Sequence, residues 1–283
     1  MTRAPLLAEN EAKRALERAW LLYTPVWGAI TGVVMLTGLA ETWGDGALLG
    51  FGVVLALGTY VAAWLSMPAT ERARPFFERT AVKASLAVTA LSFGLNYFQT
   101  PFFFDVLHMR YGFRATWVIE RNPVFLYLVT VAYFATYSVL ACIGVRVVGR
   151  AGRGSRAWRV ASIALVACAL AFLETALNAN PFMTRLFCYG EPMMMYSFGT
   201  AAYGLALGLA MPGWLWLDES PRARMPLLGA LGWVVLAVAI DTVACAGIRA
   251  FVAPQLTVVE DPSAPGWDAR GCLAAGAGDD ATR

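Results

Sequence analysis

Apolar residues dominate seven stretches of this chain, and each stretch is bounded by proline, glycine or a group of charged residues. A run of about 20 apolar residues is long enough to cross the hydrocarbon core of a bilayer as a helix. The pattern therefore predicts an all-α, polytopic integral membrane protein with about seven transmembrane helices in a single domain. The predicted spans are about 20–42, 47–67, 82–104, 124–148, 157–179, 193–217 and 227–252, followed by a polar tail over 253–283.

Basic residues are distributed unequally between the two sets of loops. Groups of arginine and lysine occur in the N-terminal segment and after the second, fourth and sixth spans, whereas the other loops have few. Because Lys and Arg are enriched in cytoplasmic loops, the pattern predicts a cytoplasmic N-terminus and a C-terminal tail on the outer side. Seven spans agree with this alternation, which six spans would break.

Composition narrows the class of protein. Of the 283 residues, 59% are hydrophobic and 14% are charged, against about 45–50% and about 25% in soluble domains. The net charge of +3 is spread over the loops, so nucleic-acid binding has no support. One histidine and five cysteines without zinc spacing predict no metal site, and the absence of nucleotide-binding motifs predicts no cofactor. The polar first nineteen residues predict no cleaved signal peptide.

A few polar residues interrupt the apolar spans. Glu174 and Asn178 are four residues apart, so on a helix they share one face. The predicted topology places Asn96, Asp241 and Tyr196 at a similar depth. Each of these residues alone is typical of hydrogen bonding between membrane helices. Two carboxylates and several amides at one depth together favour a functional cavity, because ionisable groups inside a membrane are costly and usually functional.

Two features of the predicted outer side leave alternatives open. The third loop, 105–123, is rich in aromatic and basic residues, and it is predicted either to cap the cavity or to be an ordinary interfacial loop. Cys188 and Cys272 both fall on this side, where an oxidising compartment would permit a disulfide between them. The sequence does not decide whether that bridge forms.

Several short segments, in order along most of the chain, carry a resemblance to a known family. They include Leu22–Trp27, Asn96–Phe98, Leu173–Thr175, Met195–Tyr196, and Asp241 followed by Arg249. On these segments the sequence resembles the cycloeucalenol cycloisomerase family of sterol biosynthesis. It departs from the family pattern in a longer segment over 181–190. It also lacks histidines that are common in the family, with Pro101 in one of their places, which argues against a histidine-based mechanism.

The resemblance implies an isomerase that takes its sterol from the bilayer. Protonation would open the 9β,19-cyclopropane ring of a cycloeucalenol-like sterol, and loss of the C8 proton would give a Δ8 sterol without any cofactor. The composition, rich in Ala, Arg and Gly, indicates a bacterial inner membrane, whereas a eukaryotic source would imply the endoplasmic reticulum. The alternatives are a non-catalytic membrane protein that binds sterols or lipids, and a small-solute transporter.

The implied chemistry assigns candidate roles to the polar and aromatic residues. Glu174 is the predicted acid, Asp241 is a second carboxylate that serves as base or proton partner, and Tyr196 is a phenol partner in catalysis. The predicted substrate-binding residues are Asn96, Tyr97, Thr100, Phe103, Phe104, Asn178, Asn180 and Glu191. The expected partners are the sterol and membrane lipids.

Overall fold

The computed structural model describes residues 6–152, 155–189 and 192–252, and this part of the chain is mostly helical. Its helices are α1 (Glu11–Leu36), α2 (Leu39–Thr42), α3 (Asp45–Leu65), α4 (Ala69–Arg72), α5 (Thr80–Phe98), α6 (Thr100–Asp105), α7 (Val124–Gly149), α8 (Arg156–Asn178), α9 (Pro192–Met194), α10 (Thr200–Trp216) and α11 (Leu227–Gly247). Short 3-10 segments lie at Phe76–Glu78 and Arg150–Gly152, and π-helical segments lie at Met195–Gly199 and Ile248–Val252.

The longer helices follow the predicted spans. Five of them, α1, α3, α7, α8 and α11 with its π-helical extension, are long and apolar enough to cross a membrane. The helices in the third and sixth predicted spans, α5 and α10, have 19 and 17 residues and are not among these five. The membrane class is therefore supported, while the count of seven spans and the cytoplasmic N-terminus remain predictions.

Helix α5 ends at Phe98, whereas apolarity predicts a span that continues to about residue 104. Pro101 has no backbone N–H and cannot continue the hydrogen bonding of the preceding turn. The helix therefore breaks at Gln99, which is the C-cap residue of α5 and the N-cap residue of α6. At this break the side chain of Gln99 lies in the interior of the bundle, and only 3% of its surface is exposed.

Helix α7 is the central element of the bundle. It packs against α1, α3, α5, α8 and α10, and 61% of its most apolar stretch is buried. A helix that is apolar on all sides is expected in the middle of a structure rather than at its surface. The position of α7 brings its neighbours into a ring, so that residues from several helices can face a common interior.

Small residues bring α8 and α10 close together. If Gly204 of α10 carried a Cβ atom, that atom would lie 3.7 Å from Cβ of Ala171. A Cβ atom on Gly208 would lie 3.6 Å from Cβ of Ala167. Glycines four residues apart allow membrane helices to approach closely. Thr200 also donates a hydrogen bond to Thr175 at 2.9 Å. These contacts fix the segment of α8 that carries Glu174.

Two short antiparallel strand pairs join the loops at one end of the bundle, which refines the all-α prediction. Strand β1 (Met109–Tyr111) pairs with β4 (Phe187–Tyr189), and β2 (Val118–Ile119) pairs with β3 (Asn122–Pro123). The third and fifth loops therefore form one structure. Cys188 in β4 is disulfide-bonded, while Cys272 lies outside the described residues.

The opposite end of the bundle holds a group of buried ion pairs, here called the ionic cluster. Its pairs are Lys13–Glu219 at 2.6 Å, Arg146–Glu17 at 2.7 Å, Arg146–Glu219 at 2.7 Å, Lys83–Asp218 at 2.6 Å and Arg224–Glu71 at 2.6 Å. The pairs join the N-terminal segment to the end of α7 and to the loops after the second and sixth spans. These segments are the ones that the charge pattern places on one side.

The ionic cluster also explains where α1 begins. The helix starts at Glu11, well before residue 20 where the apolar span begins, and the side chain of Asn10 caps it by accepting a hydrogen bond from the backbone N–H of Ala12 at 3.0 Å. Lys13 and Glu17 lie on its first turns and are buried by their ion pairs. A hydropathy pattern predicts a polar segment here, because it contains no information about the oppositely charged residues that pair with Lys13 and Glu17.

Candidate functional site

A cavity lies inside the bundle at the end that is closed by the paired loops. It contains about 870 Å³ of empty space, counting open solvent at its mouth. Its wall comes from α1, α5, α6, α7, α8 and α10, and Tyr111 and Phe187 of the paired strands cover it. Tyr111 belongs to the third loop, so this loop contributes to the cavity wall, which favours the first of the two predicted alternatives. Burial raises the pKa of the Tyr111 phenol above its ordinary value.

Glu174 is the carboxylate in the cavity wall. Its Oε1 accepts a hydrogen bond from Nδ2 of Asn178 at 2.7 Å, and its Oε2 accepts a hydrogen bond from the hydroxyl of Tyr137. Tyr137 comes from α7, so the carboxylate is held between two helices. Within the described part of the chain, Glu174 has no ion-pair partner.

A second polar group lines the cavity on the α5 side. Asn96 donates from Nδ2 to the backbone oxygen of Ser92 at 2.8 Å and to Oγ1 of Thr130 at 2.7 Å. Its Oδ1 accepts a hydrogen bond from Nδ2 of Asn122 at 2.7 Å. Both ends of the Asn96 amide are thus engaged by the protein, and the residue connects α5 to α7 and to the third loop.

Thr100 and Phe103, two of the predicted substrate-binding residues, also line the cavity. The ring of Phe103 packs against the ring of Tyr203 with 4.7 Å between the centroids. Tyr133 and Phe134 of α7 extend this aromatic wall. The cavity is therefore a mostly apolar and aromatic space with a few convergent polar groups, which is the usual character of a small-molecule site.

Asp241 is buried but does not belong to the wall of the cavity. Its Oδ1 accepts a hydrogen bond from Nε2 of Gln99 at 3.3 Å, and Sγ of Cys245 lies 3.9 Å from its Oδ2. Gln99 does line the cavity. Asp241, the second predicted carboxylate, is therefore separated from the cavity by the side chain of Gln99.

Four of the remaining predicted site residues are described by the structure, and none of them lines this cavity. Tyr97 is 41% exposed, and Phe104 lines a separate pocket that is formed mainly by the third loop. The hydroxyl of Tyr196 donates to the backbone oxygen of Ala179 at 3.0 Å. Asn180 donates to backbone oxygens at the end of its own helix. Glu191 lies outside the described residues.

Sequence reasoning missed several residues of the wall, above all Tyr137 and Gln99. Tyr133 and Tyr137 are four residues apart in an apolar span, a spacing that puts two phenols on one helix face. That spacing was a usable signal for α7. Gln99 offered a weaker signal, because only the helix break before Pro101 turns its side chain inward.

The arrangement can move a proton inside an apolar space. It offers a carboxyl group that is hydrogen-bonded to an amide and to a phenol, surrounded by aromatic faces. No group of three or more His, Cys, Asp or Glu residues that could hold a metal ion occurs among the described residues.

Comparison with known proteins gives one informative match. The chain is 27% identical over 277 residues, covering 95% of this chain and 94% of the other, to a cycloeucalenol cycloisomerase of Arabidopsis thaliana. This match supports a family-level relationship and agrees with the resemblance carried by the short segments. No protein-family model and no solved structure matches the chain.

Proposed function

Proceeding from this family-level relationship, we propose that the protein is a membrane isomerase that opens the 9β,19-cyclopropane ring of a cycloeucalenol-like sterol to give a Δ8 sterol. The observation that carries the proposal is Glu174, an acid in the wall of an aromatic cavity that has no cationic partner among the described residues. A flat, apolar substrate from the bilayer suits such a cavity, which has few polar groups.

The proposed reaction needs one acid and one base and is neutral overall. A proton is added to the C19 methylene carbon, the C9–C19 bond breaks, and its electron pair forms the new C–H bond of an angular methyl group. The positive charge is left at C9. Loss of the C8 proton then supplies the electron pair of the C8–C9 double bond, so that substrate and product are isomers.

Glu174 is the proposed proton donor. An ionised carboxylate in apolar surroundings is costly unless a cation or several hydrogen bonds compensate it. Glu174 has two neutral hydrogen-bond partners and, among the described residues, no cation. We therefore propose that it carries a proton in the resting protein, as a general acid requires.

The groups around Glu174 have supporting roles in this proposal. Asn178 and Tyr137 hold the carboxyl group in one orientation, so that its proton is presented to the strained bond. Tyr133 and Phe134 provide electron-rich faces near the cavity, which stabilise a developing cation. Among the described residues that line the cavity, Glu174 is the one carboxylate. Its deprotonated form is therefore the proposed acceptor of the C8 proton.

The setting of the reaction is likewise proposed. The sterol enters from the bilayer, and the N-terminus and the ionic cluster lie on the cytoplasmic side. A bacterial inner membrane is the proposed location, with the endoplasmic reticulum as the corresponding membrane in a eukaryotic cell. The cavity then lies in the outer half of the bilayer.

The test is conversion of a 9β,19-cyclopropyl sterol by purified protein in detergent, followed by mass spectrometry of the products. In ordinary water we expect a Δ8 isomer of unchanged mass. In deuterated water the product should be about one mass unit heavier, because a deuteron enters the new methyl group. The variant Glu174→Gln should lower turnover by about 10²–10⁴-fold, the usual contribution of a positioned acid. Glu78→Gln, an exposed acid far from the cavity, is the matched control.

The outcomes separate the alternatives. Folded protein that binds the sterol but forms no Δ8 product would indicate a binding protein rather than an isomerase. Full activity of Glu174→Gln would remove Glu174 as the acid without affecting the isomerase proposal. Flux of a small solute in proteoliposomes, without sterol turnover, would favour a transporter.

A further inference from the structure

Gln99 differs from the other amides of the cavity in how its two ends are used. Its Nε2 donates to the backbone oxygen of Ala202 at 3.2 Å and to Oδ1 of Asp241 at 3.3 Å. An amide nitrogen has two hydrogens, so both donors are engaged. Within the described residues no donor reaches its Oε1, while the side chain belongs to the cavity wall.

Ala202 and Asp241 together determine which end of this amide faces inward. The backbone oxygen of Ala202 can only accept, and Oδ1 of Asp241 accepts from the same nitrogen, so the nitrogen of Gln99 is held on their side. Asp241 is 1% exposed, and its other close polar neighbour is Sγ of Cys245. A rotated amide would place Oε1 against Oδ1 of Asp241 and would leave Nε2 without its acceptors.

Asn96, one helical turn before Gln99, shows the contrast. Both ends of the Asn96 amide are bonded to Ser92, Thr130 and Asn122. It has no end left to offer to a ligand and acts as a connection between helices. Gln99 has one oxygen left, and its side chain lines the same cavity as Glu174.

We propose that Gln99 accepts a hydrogen bond from a hydroxyl group of the substrate, and that Asp241 is the positioning residue that orients the Gln99 amide. This inference rests on the proposed sterol function. A tetracyclic sterol has one hydroxyl at an end of its ring system, and Gln99 would hold that end while Glu174 meets the strained bond. A carbonyl oxygen accepts only from a donor, so the site would select a free hydroxyl over an ether or a ketone.

The proposal assigns Asp241 a role different from that of an acid or base. If Asp241 transferred protons, any change that removes its ionisable group would lower turnover. If it positions Gln99, an amide in its place still has an oxygen that accepts from Nε2. Asp241→Asn should then behave much more like the wild type than Asp241→Leu does.

The experiment measures binding of a 3-hydroxy sterol without a cyclopropane and of its 3-methyl ether, by titration of protein in detergent. Wild type should prefer the hydroxy sterol by about three- to tenfold, the value of one net hydrogen bond. Gln99→Met should abolish this preference, and in turnover assays it should raise KM with a smaller change in kcat. Asp241→Leu should reduce the preference, and Asp241→Asn should restore most of it.

Thr242→Val is the matched control, because this neighbouring hydroxyl bonds only to the backbone oxygen of Val238 in its own helix. A folded Gln99→Met protein that retains the preference would overturn the inference, as would an Asp241→Asn protein that binds normally but has lost turnover. If the preference is present and no cyclopropyl sterol is converted, the proposed isomerase fails and the hydroxyl site stands. Wild type that binds neither sterol would overturn both.

Discussion

The ionic cluster and the cavity both bury carboxyl groups, at opposite ends of the same helices. In the ionic cluster, Asp218 is fully buried and accepts hydrogen bonds from Thr80 Oγ1 at 2.7 Å, Lys83 Nζ at 2.8 Å and the backbone N–H of Met225 at 2.9 Å. In the cavity, Glu174 has an amide and a phenol as its partners and no cation within the described part of the chain.

The difference separates structural acids from acids that are suited to chemistry. A buried carboxylate that is paired with a lysine stays ionised and connects the segments that supply the charges. A buried carboxyl without a cation can hold a proton and release it to a substrate. The same residue type thus has two uses, and its partners distinguish them.

The largest expected effect is on stability and compares two acid-to-amide changes. Asp218→Asn leaves Lys83 buried without its counter-charge and should lower the free energy of unfolding by about 3–5 kcal/mol. Glu174→Gln removes no ion pair and should cost about 1 kcal/mol or less. Denaturant unfolding in detergent, followed by tryptophan fluorescence, measures both. Equal losses in the two variants would mean that the cavity acid is ionised and structural.

A smaller effect is expected at the phenol that holds Glu174. Tyr137→Phe removes one hydrogen bond to the carboxyl group, and turnover should fall about tenfold as the acid loses its orientation, while stability changes by about 1 kcal/mol. The matched control is Tyr60→Phe, whose hydroxyl bonds to Thr89 at 2.7 Å outside the cavity. If both variants lower turnover to the same extent, the role of Tyr137 is structural only.

The smallest expected effect is the pH dependence of the ionic cluster. Burial raises the pKa of Glu219, but hydrogen bonds from Arg146 and the charge of Lys13 outweigh it, so the net pKa is below the ordinary value of 4.5. The pKa of Glu71 is lowered in the same way by Arg224. A lowered pKa in the folded state contributes stability at pH values above the unfolded pKa.

This contribution should be lost as the pH falls below about 4.5 and through the lower pKa values of the folded protein. Unfolding measured from pH 7 to pH 3.5 would show the loss. Glu219→Gln should flatten the curve in this range, and Glu78→Gln, which changes an exposed acid, should leave its shape unchanged. A variant curve for Glu219→Gln that parallels the wild type would contradict the assignment.

Local sequence patterns were sufficient to predict the long helices and the helix face that Glu174 and Asn178 share. Apolar runs define the long helices, because each can bury its backbone polar groups within itself. A four-residue spacing on α8 places the carboxyl beside the amide, and the structure has them in hydrogen-bond contact. These features depend on residues that are close in the chain.

Contacts between distant segments were beyond such reasoning. Tyr137 reaches Glu174 because α7 and α8 pack together, and Asp241 is separated from the cavity because α11 lies behind Gln99. Tyr196 was placed near the site by its depth, and Asn180 by the chemistry that the resemblance implies, whereas their side chains bond to nearby backbone. Depth in a membrane does not specify the direction in which a side chain points.

The sequence by itself determined that this protein is a helical membrane protein with an acid inside an apolar helix. The tertiary structure decided which acids have cationic partners, since Lys83 and Asp218 are 135 residues apart in the chain. It also decided which amide has a free oxygen in the cavity. Both decisions follow from helix packing, because the cost of burying a polar group depends on the groups that surround it in space.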